Sequence, residues 1–403
     1  MKQLLRQIHP LAWTIILGTM FGRLVTSMSI PFLSIYLTRV LEASPTETGL
    51  TVAVSSLAGV LISFYGGYIS DRIGRPMVML FSVFSWAGVF FIFSSAQHLW
   101  VFFTANTLNG LCRAFFEPTS RALLSDITPS QHKLLVFNLR YAAINLGVVF
   151  GPIIGLYLGS AESTFPFIIA GMVYVMYGLV LLFQFRVRHT HLPRPVHALA
   201  PSLRAALSTT TRDRVFLMVL IGTTFCELGY GHFGSTLAQY LTLNPNIENG
   251  SQIFSYMFSL NAMTVLLVQY PIVRKARLYS PIASLILGNI LIAGSLLLFG
   301  WADGLVLLFI SVILFTMMDL FIDRIAKPEN KGIYFGTIGF NHLGSVIAPV
   351  FGGLLLGHFG AANGSFVFVP LALATALGLP FLWKARQLQI SRERQEKVFQ
   401  ASA

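Results

Sequence analysis

Gly67-Tyr68-Ile69-Ser70-Asp71-Arg72-Ile73-Gly74-Arg75 is a short charged hinge between two long apolar runs, Leu50 to Tyr68 and Met77 to Ala96. A helix needs about 20 apolar residues to cross the hydrocarbon of a bilayer, and each run is that long. Only a few residues connect them. Two antiparallel membrane helices joined so tightly, with glycine at both ends and Asp and Arg between, make a compact clasp at one membrane face.

The rest of the chain extends this pattern. Hydrophobic residues make up 55% of it and charged residues 10%, and the mean hydropathy is +0.72. Soluble domains carry about 25% charged residues. Twelve apolar runs can be placed, near 12–38, 48–69, 77–97, 99–122, 136–158, 165–185, 215–241, 253–273, 282–301, 304–322, 332–358 and 365–383. The predicted fold is therefore an all-α polytopic membrane protein. The first run is too long for the apolar core of a cleavable signal, so it is expected to stay as the first helix.

The net charge of +12 invites a nucleic-acid reading, which its distribution opposes. With the N-terminus inside and twelve alternating spans, Lys2, Arg6, Arg72, Arg75, Lys133, the 186–214 cluster, Arg274, Lys275, Arg277, Arg324, Lys327, Lys331 and the tail from Lys384 all fall on one side. Arg39 alone falls in an outer loop. That asymmetry is the positive-inside rule. It predicts a cell (inner) membrane protein with both termini cytoplasmic, bathed by lipid, with no nucleic acid bound.

Apolar patterning stops between Arg186 and Arg214. The expected organisation is a bundle over 1–185, a cytoplasmic linker over 186–214, a second bundle over 215–384 and a cytoplasmic tail over 385–403. The halves echo each other. Gly147-Val-Val-Phe-Gly151-Pro152-Ile-Ile-Gly155 recurs as Gly344-Ser-Val-Ile-Ala348-Pro349-Val-Phe-Gly352, and Asp126 recurs as Asp323 at the same offset.

The hinge resembles the Gly-x-x-x-Asp-Arg-x-Gly-Arg signature of the major facilitator superfamily, here Gly67, Asp71, Arg72, Gly74 and Arg75. The fifth-span segment is similar to a second signature, Gly-x-x-x-Gly-Pro-x-x-Gly-Gly, of its drug:proton antiporter branch. Gly147, Gly151, Pro152 and Gly155 match it, and Leu156 replaces the final glycine. Plain close packing of helices would also use these small residues. A third signature, an arginine in the fourth span, is not matched: Asn106 stands there, and Arg113 or Arg23 is left to do that work. The resemblance implies a major facilitator fold of twelve transmembrane helices in two pseudo-symmetric six-helix bundles, with spans 1, 4, 7 and 10 lining a central cavity.

Ionisable groups at membrane depth are costly and usually face a cavity. Arg23 lies halfway along span 1. Arg113 and Glu117 are four apart on span 4 and could neutralise each other. Glu227 is central in span 7, with Tyr230 on its face, and Asp319 lies in span 10. Glu227 is the first choice for a proton-coupling carboxyl, ahead of Glu117 and Asp319; a structural ion pair with an arginine across the cavity is the alternative. Arg23, Asn106, Arg113, Tyr230, His232 and Asn341 are candidate cavity or substrate residues. Gly67, Asp71, Arg72, Gly74, Arg75 and Arg140 are candidate cytoplasmic-gate residues, with Asp126 nearby. His232 and His342 lack further ligands at metal spacing, so no metal site is expected.

These features predict a monomeric secondary transporter that exports lipophilic or cationic amphipathic small molecules in exchange for protons, with H⁺ as coupling ion and no other cofactor. A transporter of one physiological substrate, such as a siderophore, peptide or lipid-like metabolite, or a proton symporter, is the alternative. The chain carries no phosphate-binding Gly-x-x-x-x-Gly-Lys-Ser/Thr and no catalytic cluster, so enzymatic activity is not expected.

Overall fold

A computed structural model describes residues 8–187, 213–276, 280–302, 304–316 and 339–402. Asp319, Asp323 and most of the expected 186–214 linker lie outside those residues. Six long helices form the first half: α1 (Pro10–Arg39), α2 (Pro45–Ile73), α3 (Arg75–Ser95), α4 (Leu99–Asp126), α5 (Lys133–Tyr157) and α6 (Phe165–Val187). The second half contains α7 (Arg214–Gly231), α8 (Thr236–Leu243), α9 (Gly250–Ala276), α10 (Pro281–Gly300), α11 (Leu305–Thr316), α12 (Leu343–Phe359), α13 (Gly364–Ala376) and α14 (Gly378–Ser402). No strand occurs among the described residues.

Nine spans among the described residues are long and apolar enough to cross a membrane, counting α7 with α8, and α13 with the start of α14, as one span each. α11 and α12 are apolar but shorter over their described parts. α4 is long, at 28 residues, but is not among the nine. It carries Asn106, Asn109, Arg113, Glu117 and Arg121, and that polarity marks it as a helix whose side chains serve something other than lipid. The twelve expected runs thus all find helices.

Local sequence explains the helix ends. Ser44 and Glu47 form a reciprocal capping box ahead of α2, which satisfies two of the otherwise unpaired first-turn donors. Gly74 ends α2 and caps α3 with φ +106°, a conformation that side chains resist and glycine adopts freely; Pro76 then sits in the first turn of α3, where no donor is needed. In α4, Trp86 Nε1 on α3 donates to Asn109 Oδ1 at 2.7 Å, Asn109 Nδ2 donates to Asn106 Oδ1 at 3.1 Å, and Asn106 Nδ2 donates to Thr51 O of α2 at 2.7 Å. This ladder ties three helices together where apolar packing gives no hydrophobic preference over lipid.

Two apolar cores form. One gathers residues from Ile8 to Leu181. The other gathers residues from Cys226 to Ala385 and takes in Phe32, Ile35 and Ala161 from the first half. Those three lie towards the membrane face opposite Gly74. Hydrogen bonds cross between halves at that same far end: Arg39 Nη2 to Thr242 O (3.3 Å), Thr46 Oγ1 to Gly353 O (3.4 Å) and Ser255 Oγ to Pro152 O (2.7 Å).

Candidate functional site: charges between the two halves

The glycines of α5 determine what α1 can present. A Cβ at Gly147 would collide with Met20 O, Leu24 N and Arg23 Cβ of α1, and one at Gly151 would strike Ser27 and Leu24. Gly155 meets Met28 in the same way. Helix α5 therefore lies backbone to backbone on α1, which small residues alone permit. Pro152 faces the other way in effect, its carbonyl accepting from Ser255 of α9. The fifth-span motif forms a packing seam here.

That seam holds Arg23 beside Glu117 of α4. One carboxylate oxygen of Glu117 pairs with Arg23, and the other accepts from Arg140 Nη2 of α5 at 2.7 Å. Arg121 lies one turn along α4, 3.9 Å from the same oxygen. Arg140 is buried, with 5% of its side chain exposed, and also donates to Ser120. Two expectations change. Arg140 belongs to this mid-membrane cluster and not to the gate, because its side chain runs inward from α5 to α4. The Arg113–Glu117 pair does not form, because Glu117 is already committed to α1 and α5.

Arg113 is thereby left over. It is exposed and makes no hydrogen bond or ion pair among the described residues, yet it lies within electrostatic reach of Arg23, Glu117 and Glu227. Since Glu227 belongs to the second half, Arg113 feels charge from both halves.

The second half repeats the seam. A Cβ at Gly344 of α12 would collide with Thr224 O, Leu228 N and Glu227 C of α7. Gly147 meets Met20 O, Leu24 N and Arg23 in the corresponding way. Arg23 and Glu227 are thus structural counterparts of opposite sign. Glu227 Oε2 accepts from Ser345 Oγ at 3.1 Å, and His342 Nδ1 lies 3.8 Å away. No arginine or lysine pairs with it among the described residues, and 18% of its side chain is exposed. The structural ion pair considered for Glu227 is absent there. Ser345 was not anticipated, although the sequence echo held the signal: if Gly147 packs on Arg23, Gly344 must pack on Glu227, and Ser345 is its neighbour.

Other candidates fall elsewhere. Asn106 is buried in the α2–α4 ladder, 2% exposed, so it is a helix clamp and not a cavity residue. His232 is also buried, at the break between α7 and α8, where Nδ1 bonds Thr236 Oγ1 at 3.0 Å; it does not line the cavity. Tyr230 stacks on Phe315 of α11, ring centroids 5.4 Å apart. Asn341 is half-buried beside His342, with its Oδ1 unpartnered. Among the described residues, no group of His, Cys, Asp or Glu could hold a metal.

At the clasp, Arg75 donates to Asp71 Oδ1 through Nε and Nη2 at 3.4 and 3.3 Å, and its Nη1 pairs with Asp126 of α4. These contacts stay within the first half. Arg72 is exposed, and Gly67 lies within α2.

The family model described as Major Facilitator Superfamily matches residues 15–340. The chain belongs to this superfamily. It is similar to an uncharacterised facilitator-type transporter, YqjV of Bacillus subtilis, at 50% identity over 97% of this chain and 98% of that one. A Na⁺, Li⁺, K⁺/H⁺ antiporter of Planococcus maritimus is 24% identical over 83% of this chain and 87% of that protein. The quinolone resistance protein NorA of Staphylococcus aureus is 25% identical over 57% of this chain and 60% of its own. Among solved structures, a variant of the nucleoside transporter NupG superposes with a TM-score of 0.79 at 14% identity, covering 93% of this chain and 99% of that one. As a facilitator the protein is a multi-pass membrane transporter of small molecules and not an enzyme, and the twelve-helix reading holds.

Proposed function

We propose that this facilitator exports amphipathic small molecules in exchange for protons, and that Glu227 carries the coupling proton. The observation that carries the reading is the contrast between two membrane carboxylates. Glu117 spends both oxygens on arginines, so protonating it would break two charge-assisted bonds. Glu227 has a hydroxyl and an imidazole beside it and an open side, so it can gain and lose a proton without dismantling the wall. Proton exchange by the cation antiporter and drug resistance through NorA, named for those distant relatives, support the same class.

The gate at the clasp acts by biasing conformation, which is all a coupled ion or a local charge can do. With the far end bridged, and with the Gly74 end taken as cytoplasmic on the positive-inside rule, this shape would be closed to the outside. Asp71 is half-exposed and Asp126 also holds Arg75, so Asp71→Asn is expected to change stability by less than about 1 kcal/mol. It should cut transport while leaving equilibrium binding of cargo intact. Binding lost in step with transport would place Asp71 in the cargo site.

Topology is read from cysteines introduced at Glu162 and Glu248, in the loops after α5 and α8, and labelled in intact cells. Both should react with an impermeant reagent from outside; labelling from the cytoplasmic side alone would invert the assignment. For function, reconstituted vesicles with an imposed pH gradient should show cargo moving against the proton. Co-directional flux would make the protein a symporter, and no flux would remove transport by this route.

A further inference from the structure

We infer that the cavity is built for a molecule carrying a carboxylate or similar anion together with a separate basic nitrogen, the anion held at Arg113 and the nitrogen at Glu227. This deepens the proposed transport function by naming the cargo's charge pattern. In the first half, Arg23 and Arg140 take both oxygens of Glu117, and Arg121 lies 3.9 Å from one of them. Arg113 is the guanidinium that makes no hydrogen bond or ion pair among the described residues, feeling only the longer-range attraction of Glu117 and Glu227. It is exposed on a helix in the membrane, where an unpaired cation is costly unless a cavity and a partner await it. Its five donors are set for an anion with two coplanar oxygens.

The opposite wall has the reverse character. Glu227 carries its charge, with the Ser345 hydroxyl donating to it and the His342 imidazole 3.8 Å away, and no lysine or arginine pairs with it among the described residues. The counterpart positions on the two halves therefore hold Arg23 and Glu227, opposite in sign. A lipophilic cation, one form of the cargo expected from sequence, matches the Glu227 wall and faces surplus positive charge on the other. A simple anion has the converse difficulty. A molecule with both charges on an apolar frame satisfies both walls, and like-charge mismatch at either one is the rejecting element.

The test uses purified protein in detergent, with no gradient, so its failure is distinguishable from a failure of proton exchange. The probes are dansyl-lysine, which carries both charges, its methyl ester, a cation, and its Nα-acetyl derivative, an anion. Binding is read by dansyl fluorescence on wild type, Arg113→Gln and Glu227→Gln. Dansyl-lysine should bind the wild type about ten- to a hundredfold more tightly than either derivative, the scale of one lost charge-assisted bond. Arg113→Gln should weaken dansyl-lysine and leave the methyl ester unchanged; Glu227→Gln should weaken dansyl-lysine and leave the acetyl derivative unchanged. Because Arg113 makes no hydrogen bond or ion pair among the described residues, its variant should match the wild type in thermal unfolding, and loss of folding would itself contradict the assignment. A methyl ester that binds as tightly as dansyl-lysine, an equal response of all three probes to Arg113→Gln, or no binding of any probe up to millimolar concentration would overturn the inference.

Discussion

Glu227→Gln should reduce uphill export driven by a pH gradient to background while the protein still folds. Gln keeps the shape of the side chain and can still accept from Ser345 Oγ, but it has no titrating proton. No arginine loses a direct ion pair by the change, since none contacts Glu227 among the described residues, and Arg113 loses only a longer-range attraction. The melting temperature in detergent should therefore stay near that of the wild type. Cargo binding should weaken but stay measurable, and should lose its dependence on pH. His342→Gln serves as the control for the neighbouring imidazole and should retain pH dependence if the carboxyl is the carrier. A well-folded Glu227→Gln protein that still drives uphill export would defeat the assignment and leave Asp319 as the carboxyl to examine.

The opposite outcome is expected for Glu117→Ala. This carboxylate neutralises Arg23 and Arg140 at once, and Arg140 is almost wholly buried. Removing one partner of a buried ion pair typically costs about 3–5 kcal/mol, because the remaining charge keeps its desolvation penalty. Arg23 is 32% exposed, so water recovers part of the loss and the lower end is expected. Poor expression and a melting temperature lowered by several degrees should follow. The double variant Glu117→Leu with Arg140→Met should recover part of the stability, since replacing both partners by apolar groups removes the stranded charge. Unchanged melting of Glu117→Ala would mean that the cluster is loosely held and that Glu117 is free to titrate after all.

The contrast between these two glutamates was only half legible in the sequence. Periodicity and length gave the spans, because membrane crossing imposes an apolar run that no other requirement produces. The hinge at Gly74 was legible because only a glycine takes its backbone angle without strain. Depth in the membrane was also readable, so Arg23, Arg113, Glu117 and Glu227 were all noticed. The direction each side chain takes was not. Asn106 and Arg140 look alike on paper, polar residues deep in apolar helices. One turns to the α2 backbone and the other to Glu117, and the choice depends on which neighbouring helix comes closest. That distance is set by glycines on a partner helix, as Gly147 sets it for Arg23. The Arg113–Glu117 spacing misled for the same reason: a four-residue separation allows a pair within one helix, but two arginines from other helices offered both carboxylate oxygens better geometry.

The matched seams of Gly147 and Gly344 bear on how the transporter responds to voltage. In facilitators the two halves are related by an axis along the membrane normal, so residues packed on equivalent glycines sit at equal depth. Arg23 and Glu227 therefore lie at matching depth in the two halves, and their opposite charges are separated along the plane of the bilayer. When the halves rock, neither charge travels far along the normal, and the transmembrane potential does little work on the protein itself, against about 2.3 kcal/mol per 100 mV for a charge carried fully across. Current recorded during turnover would then count only protons and cargo.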